Sequence, residues 1–418
     1  MKILVISNLY PPEIVGGYEI QCSQAVAELR RRGHDVVVLT SIPRRPVGQS
    51  PSHVLRLLGT PDVYSRERAD LKSPFWEFEA NLLNVENVFL LLEVLRDWEP
   101  DVCYLWNLVA LGGLGLIAAL EYLGVPWVWH LGDAVPALLC NFDGQLPALG
   151  EVMGSRFSGR FIACSQTVLA SVERLVHIEG RTRILPNWTM NTVPMVERDY
   201  FGGEHLKLAF AGRLAEEKGI FLVLETAAQL LASGYSNFSL DIIGAGLLDE
   251  VVARISELGI EKHVSLMGWH PPAEVKRHLQ QCDVFVFPAS AEDPMPLAAL
   301  EAAAVGCVPL LPWLSGVSEW LVDGVHCLKA ERSPEGFAEV IRAVMDGDID
   351  LSQLSRHGAK AVHESFDIEA VMPDVERELV VASASTWQPN IGLSDDFYRI
   401  ALIADALLRQ HILEGQQP

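Results

Sequence analysis

The chain has 418 residues, half of them hydrophobic and 21% charged. That is enough for two domains with well-filled cores, and it excludes disordered and fibrous classes. A formal net charge of −22 argues against nonspecific attachment to nucleic acid or to an anionic membrane, leaving only local basic patches such as Arg30, Arg31 and Arg32.

In chain order, MKILVISNLYPP opens with a short apolar run closed by prolines, which reads as a first strand (KILVIS, 2–7) and not a secretory leader. A helix from about Glu19 to Arg32 follows, Gly33 stops it, and DVVVLT (35–40) is the next strand. Residues 43–75 are polar and proline-bearing and yield no element. Strands return at VCYLW (102–106), PWVWH (126–130), RFIACS (160–165) and RILPN (183–187). Between them, LVALGGLGLIAAL (108–120) is too short and glycine-rich to span a bilayer. These apolar runs lack alternation, as expected of parallel strands covered on both faces.

Near Met190 to His205 the sequence turns charged and glycine-bearing, which reads as an interdomain linker. A second strand–helix series then runs through LKLAFAG (206–212), LDIIGAG (240–246), HVSLMG (263–268), DVFVFPAS (283–290) and CVPLLP (307–312). The expected fold is α/β: two Rossmann-like doubly wound domains facing a cleft, with ligands outside the carboxyl ends of the strands. Expected boundaries are 1–198, 199–371, and a C-terminal helical segment 372–418 packing back on the first domain. That segment contains a helix at 372–383 and a capped, amphipathic one at 394–415. Seven cysteines, mostly single and in apolar surroundings, fit buried reduced thiols of a cytoplasmic protein better than disulfides or zinc. His263, His270 and His278 lack the spacing or acidic partners of a zinc site and read as surface residues.

The stretch FAGRLAEEKG (210–219) carries the first chemical signal. Arg213 and Lys218 flank a helix start, where the macrodipole disfavours cations. An anion bound there would resolve the conflict, and a diphosphate would take charge-assisted hydrogen bonds from both side chains. A second signal is AEDPMPLAALEAAAVG (291–306), in which Pro294 and Pro296 suit a helix's first turn and Gly306 its end. Glu301 is the only charge between Asp293 and Glu319. In isolation it reads equally as a structural carboxylate with an amide or arginine partner, or as an acceptor for two vicinal hydroxyls such as a ribose presents. Asp293, taken alone, reads first as an N-cap and second as a ligand pointing into a cleft.

Together these segments resemble the retaining GT-B glycosyltransferases of family four. The matches run in the family's order over roughly residues 1 to 370: PPEIVGGYE (11–19), RRGHDVVVLT (31–40), His130 after PWVW, CSQTV (164–168), LPNW (185–188), GRLAEEKG (212–219), IIGAG, VSLMG, CDVFVFPAS, DPMPLAALEA and SGVSEWLVDG (315–324). The resemblance implies transfer of a sugar from a nucleoside-diphosphate sugar to a sugar, lipid or small-molecule acceptor, with retained anomeric configuration. It implies no tightly bound cofactor and no metal required for the chemistry.

By the same resemblance, Arg213 and Lys218 hold the donor diphosphate and Glu301 binds the ribose. Leu297 also lines the donor site, Gly16 and Gly17 let the first domain approach the donor, and His130 lies by the donor sugar or acceptor. Asp293 stands where the family has glutamate, one methylene shorter, and Glu292 is its alternate. Ser315 replaces a family glycine, which leaves Glu319 a weaker site candidate. The G-x-G of DIIGAGLLDE lacks the third glycine of a dinucleotide fingerprint, Asp249 standing there, so NAD is discounted. Two alternatives remain on this fold: a sugar-nucleotide epimerase, or a non-catalytic nucleotide-sugar-binding protein. The acidic balance weighs against membrane contact, which a lipid acceptor would bring.

Overall fold

The computed structural model describes residues 1–43, 48–60, 78–140, 158–174, 176, 178, 180–190, 193–196, 200, 204–290, 293–385 and 387–389. The chain forms two compact units. The first comprises Met1–Cys164, Val168–Leu185 and the described residues from Met372 onward; the second comprises Ser165–Thr167 and Pro186–Val371.

The first unit runs β1 (Lys2–Ser7), α1 (Gly17–Arg31), β2 (Asp35–Ser41), β3 (Val54–Leu58), α2 (Val85–Trp98), β4 (Val102–Leu105), α3 (Gly113–Leu123), β5 (Trp127–Leu131), α4 (Val135–Cys140), β6 (Arg160–Ala163), α5 (Gln166–Glu173) and β7 (Thr182–Ile184). Its strands form one parallel sheet in the order β3-β2-β1-β4-β5-β6-β7. Ile3, Leu4, Val5 and Ile6 of β1 are all fully buried, so both faces of the sheet are covered and the unbroken apolar run is explained. The edge strand β3 lies in the stretch that yielded no element from sequence. It buries only Val54 and Leu58, so its pattern carries little signal.

Two of the three arginines of the basic patch are paired locally. Arg31 and Arg32 both grip Glu28, at 2.7 and 2.8 Å, and Arg32 also reaches Glu376 at 3.2 Å. Glu376 lies on α12 (Ile368–Ala384), the last described helix, whose later part is the helix expected at 372–383. Met372, Val375, Leu379 and Ala382 are buried at helical spacing, and Glu378 pairs with Arg160 at 2.7 Å. The expected helix at 394–415 lies outside the described residues.

The second unit runs β8 (Leu206–Ala211), α6 (Ile220–Ala232), β9 (Phe238–Ile243), α7 (Leu248–Leu258), β10 (Val264–Gly268), α8 (Pro272–Leu279), β11 (Val284–Val286), α9 (Leu297–Ala304), β12 (Val308–Pro312), β13 (Leu328–Ala330), α10 (Pro334–Met345) and α11 (Leu351–Ser365), then the start of α12. The sheet order is β10-β9-β8-β11-β12-β13, again parallel throughout. Each unit is thus doubly wound. Order reverses between β1 and β4 in the first unit and between β8 and β11 in the second, and ligands of such sheets bind beyond the strand ends at this point.

Cys22, Cys103, Cys164, Cys282, Cys307 and Cys327 are buried and none of them is in a disulfide. Among the described residues no helix is long and apolar enough to cross a membrane. The apolar stretch at 108–120 instead leads into the largely buried α3, which begins at Gly113.

Candidate functional site

The loop leaving β8 is clamped on two sides. Leu214 donates its N–H to Ala245 O at 2.8 Å and accepts from Leu247 N at 2.8 Å. A Cβ on Gly244 or Gly246 would lie 1.8 Å from Gly212 O or 2.3 Å from Leu214 O. The G-x-G after β9 therefore serves as a seat for the neighbouring loop, which explains the glycines without any dinucleotide. On the other side Gly219 has φ +79°, and a Cβ there would meet Pro288 O at 2.3 Å. Ser290 donates to Glu217 O at 2.9 Å. The loops following β8 and β11, the two strands at the switch point, are thereby pressed together.

Their product is an ion pair. Lys218, the last residue of a 3₁₀ turn over Glu216–Lys218, places Nζ 2.6 Å from Asp293 Oδ2. The Asp293 side chain is 4% exposed and that of Lys218 24%, so the cation covers a buried carboxylate. Asp293 is not the N-cap of α9. That helix starts at Leu297 after Pro296, with no side-chain cap. Both Pro294 and Pro296 precede the helix instead of forming its first turn. Proline disfavours helical backbone in the residue before it, and the non-helical segment is held by its neighbours: Asn187 Nδ2 donates to Met295 O at 3.1 Å, and Gly316 N to Asp293 O at 3.1 Å. Gly306 ends the helix as expected, with φ +89°.

The other second-unit candidates have diverse surroundings. Arg213 is exposed and pairs with Glu217 at 2.7 Å, a surface contact worth at most about 0.5 kcal/mol and readily exchanged for another anion. Glu301 meets Lys276 Nζ at 3.0 Å. Its partner is thus a lysine on α8, not the amide or arginine considered from sequence. Glu319 accepts from Gln166 N at 2.6 Å and Thr167 N at 2.8 Å, so its carboxylate is committed to the Ser165–Thr167 segment of its own unit. Leu297 stands at the first position of α9, and Glu292 lies outside the described residues.

In the first unit, Gly16 and Gly17 open α1 just beyond β1, and Glu19 folds back to accept from Gly16 N at 2.9 Å. A Cβ on Gly16 would meet nothing within 4 Å, so the fold itself does not demand glycine there. His130 is buried near the carboxyl end of β5, stacked on Trp106 with ring centroids 4.4 Å apart. Its Nδ1 is 2.7 Å from the Tyr104 hydroxyl. Burial pushes its pKa down to about 3, so the ring is neutral near pH 7. Three residues on, burial raises the Asp133 carboxyl to about 6, aided by the nearby Glu19 and opposed by the Val135 N–H.

The neutral histidine has a consequence for stability. The unfolded chain protonates this histidine below its ordinary value of 6.5, but the folded chain does so only near 3. Its contribution is therefore full above pH 6.5 and is lost as pH falls toward 3. Between pH 7 and 4.5 the wild type should lose on the order of 2 kcal/mol more than His130→Gln, measured by urea denaturation at both values. Equal losses in the two proteins would remove this account.

The histidine reading from sequence needs correction. His278 has an acidic partner, Asp241, at 2.8 Å, and His270 has Glu274 at 3.1 Å. The partners come from a neighbouring strand and from one helical turn, separations a zinc-motif search does not test. Ligand-capable atoms of Asp241, His278 and Cys282 lie within 4.8 Å of one another, and the Cys282 thiol donates to His278 O.

Residues 201–361 match the model of the glycosyl transferases group 1 family, and residues 16–188 match a glycosyl transferase 4-like domain. The glycogen synthase of Mycobacterium tuberculosis is 25% identical over 408 residues, spanning 93% of this chain and 97% of that protein. Sucrose-phosphate synthase from Thermosynechococcus elongatus superposes with a TM-score of 0.69 at 18% identity, covering 91% of this chain and 99% of that one. Anabaena HepE, solved in complex with UDP-glucose, gives 0.67 at 16% identity, covering 91% and 100%. These structural likenesses establish two Rossmann-like domains of the GT-B type. With both halves of the sequence matched in order, the chain belongs to the glycosyl transferases group 1 family and is a glycosyltransferase.

Proposed function

We propose that the protein transfers a sugar from a nucleoside-diphosphate sugar to an acceptor hydroxyl with retention of anomeric configuration. The observation that carries this reading is the Lys218–Asp293 pair at the switch point of the second unit, beside the uncapped start of α9. In the proposed complex the diphosphate takes Lys218 and Arg213, and Asp293 is released toward the sugar. The first N–H groups of α9, from Leu297 onward, add the positive end of a helix dipole. Glu301 accepts from the ribose hydroxyls. The UDP-glucose held by HepE supports a nucleotide sugar as donor.

The bond between the anomeric carbon and the phosphate oxygen breaks while the bond to the acceptor oxygen forms on the same face. The acceptor proton passes to the departing phosphate oxygen. Negative charge grows on the diphosphate, so fixed cations there bind the transition state more tightly than the ground state. Arg213 and Lys218 supply this compensation. His130, neutral, offers hydrogen bonding and shape, not a proton.

The test is thermal denaturation with UDP-, GDP-, ADP- and TDP-sugars. A donor at ~100 Kd adds about 2.7 kcal/mol of stability, which raises Tm by several degrees. One nucleotide class should shift the transition, and release of its diphosphate should require an acceptor. No shift with any of the four would count against the donor assignment, and acceptor-independent conversion of the sugar would favour epimerisation.

A further inference from the structure

Lys276 on α8 was not a candidate from sequence. The structure buries it. Its side chain is 8% exposed, and Nζ is held between Glu301 Oε1 at 3.0 Å and Met190 O at 3.0 Å. Glu301 keeps 28% of its side chain accessible, while Ala299, Leu300, Ala302, Ala303 and Ala304 around it are buried. The ammonium therefore holds Oε1 from a buried position, while part of the Glu301 side chain stays accessible.

We propose that Lys276 is a positioning residue for the donor: it anchors Glu301 Oε1 so that the carboxylate is presented to the ribose diol of the bound nucleotide. This rests on the reading of Glu301 given above. The chemistry favours lysine in this role. An ammonium is a point charge that needs only one carboxylate oxygen, and it donates a second hydrogen bond to Met190 O. An arginine fork would engage both carboxylate oxygens and compete with the diol. A glutamate without an anchor would be free to turn about its own torsions, and ordering it would weaken ligand binding.

The experiment measures affinity by calorimetry for whichever of UDP, GDP or ADP binds the wild type most tightly, and for its 2′,3′-dideoxy counterpart. Wild type should prefer the ribonucleotide by at least ~10-fold, the scale of a hydrogen bond to a charged group. Lys276→Met should lose most of that preference by weakening the ribonucleotide alone, the dideoxy affinity staying within about twofold. Lys276→Arg keeps the charge and should lose the preference too, whereas a merely structural ion pair would be rescued by it. In a Glu301→Gln background, Lys276→Met should have no further effect on the preference. Equal weakening of both nucleotides by Lys276→Met, or an intact preference in it, overturns the positioning role. An intact preference in Glu301→Gln instead overturns the ribose reading of Glu301, which separates the two failures. Should Lys276→Met not fold, Lys276→Arg carries the same decision.

Discussion

Lys218→Ala should fold and bind acceptor but transfer sugar at least ~10²-fold more slowly, the scale of losing one preorganised electrostatic group. The difficulty is that Lys218 also neutralises a carboxylate that is 4% exposed. Removing one partner of a buried pair typically costs about 3–5 kcal/mol, so lost activity could be mistaken for lost structure. The double variant Lys218→Ala with Asp293→Asn separates the two effects. It removes the stranded charge, so Tm should return most of the way to the wild-type value, while transfer stays at least as slow as in the single variant. If instead the double variant recovers activity with stability, the pair is structural and the diphosphate lies elsewhere. Near-normal turnover in a folded Lys218→Ala protein would end the assignment outright.

The legible part of this protein was the part set by local patterns. Unbroken apolar runs such as KILVIS and LKLAF located parallel strands because burial on both faces removes alternation. The cations before Ile220 were visible as a conflict with the helix dipole, and both do precede that helix. The illegible part depends on contacts between distant segments. Lys218 and Asp293 are 75 positions apart, and only the adjacency of β8 and β11 brings their loops together. For the same reason Lys276 was missed: only the fold sets it against Glu301. The two prolines misled in the opposite direction. Each suits a helix's first turn locally, but together they keep the helix from starting before Leu297, and Asn187 and Gly316 satisfy the backbone of 293–295 from outside. Gly244 and Gly246 looked like half of a cofactor fingerprint because close backbone approach leaves the same residue signature whether a phosphate or a neighbouring loop approaches.

Gly316→Ala should lower kcat by about 10²-fold, a larger loss than its effect on stability accounts for. The backbone at Gly316 has φ −58° and ψ −36°, which any residue adopts, so strain in the chain is not the reason. Space is. A Cβ at this position would lie 1.3 Å from Pro294 O, and the same carbonyl already accepts from Ser165 Oγ at 2.9 Å. Gly316 N meanwhile donates to Asp293 O at 3.1 Å. One methyl group therefore forces the 293–294 segment away by more than an ångström or breaks that contact, and Asp293 moves with it. Misplacement of about 1 Å at a reacting centre is enough for a hundredfold loss, while overpacking of this kind costs roughly 1–3 kcal/mol. The matched control is Gly234→Ala, whose φ of +88° imposes backbone strain but whose Cβ would meet nothing within 4 Å. Both variants should melt several degrees below wild type, yet only Gly316→Ala should turn over slowly at a temperature where both are folded. Equal kcat values in the two would mean that the position of Asp293 does not limit the reaction, and its place in the site would pass to another carboxylate.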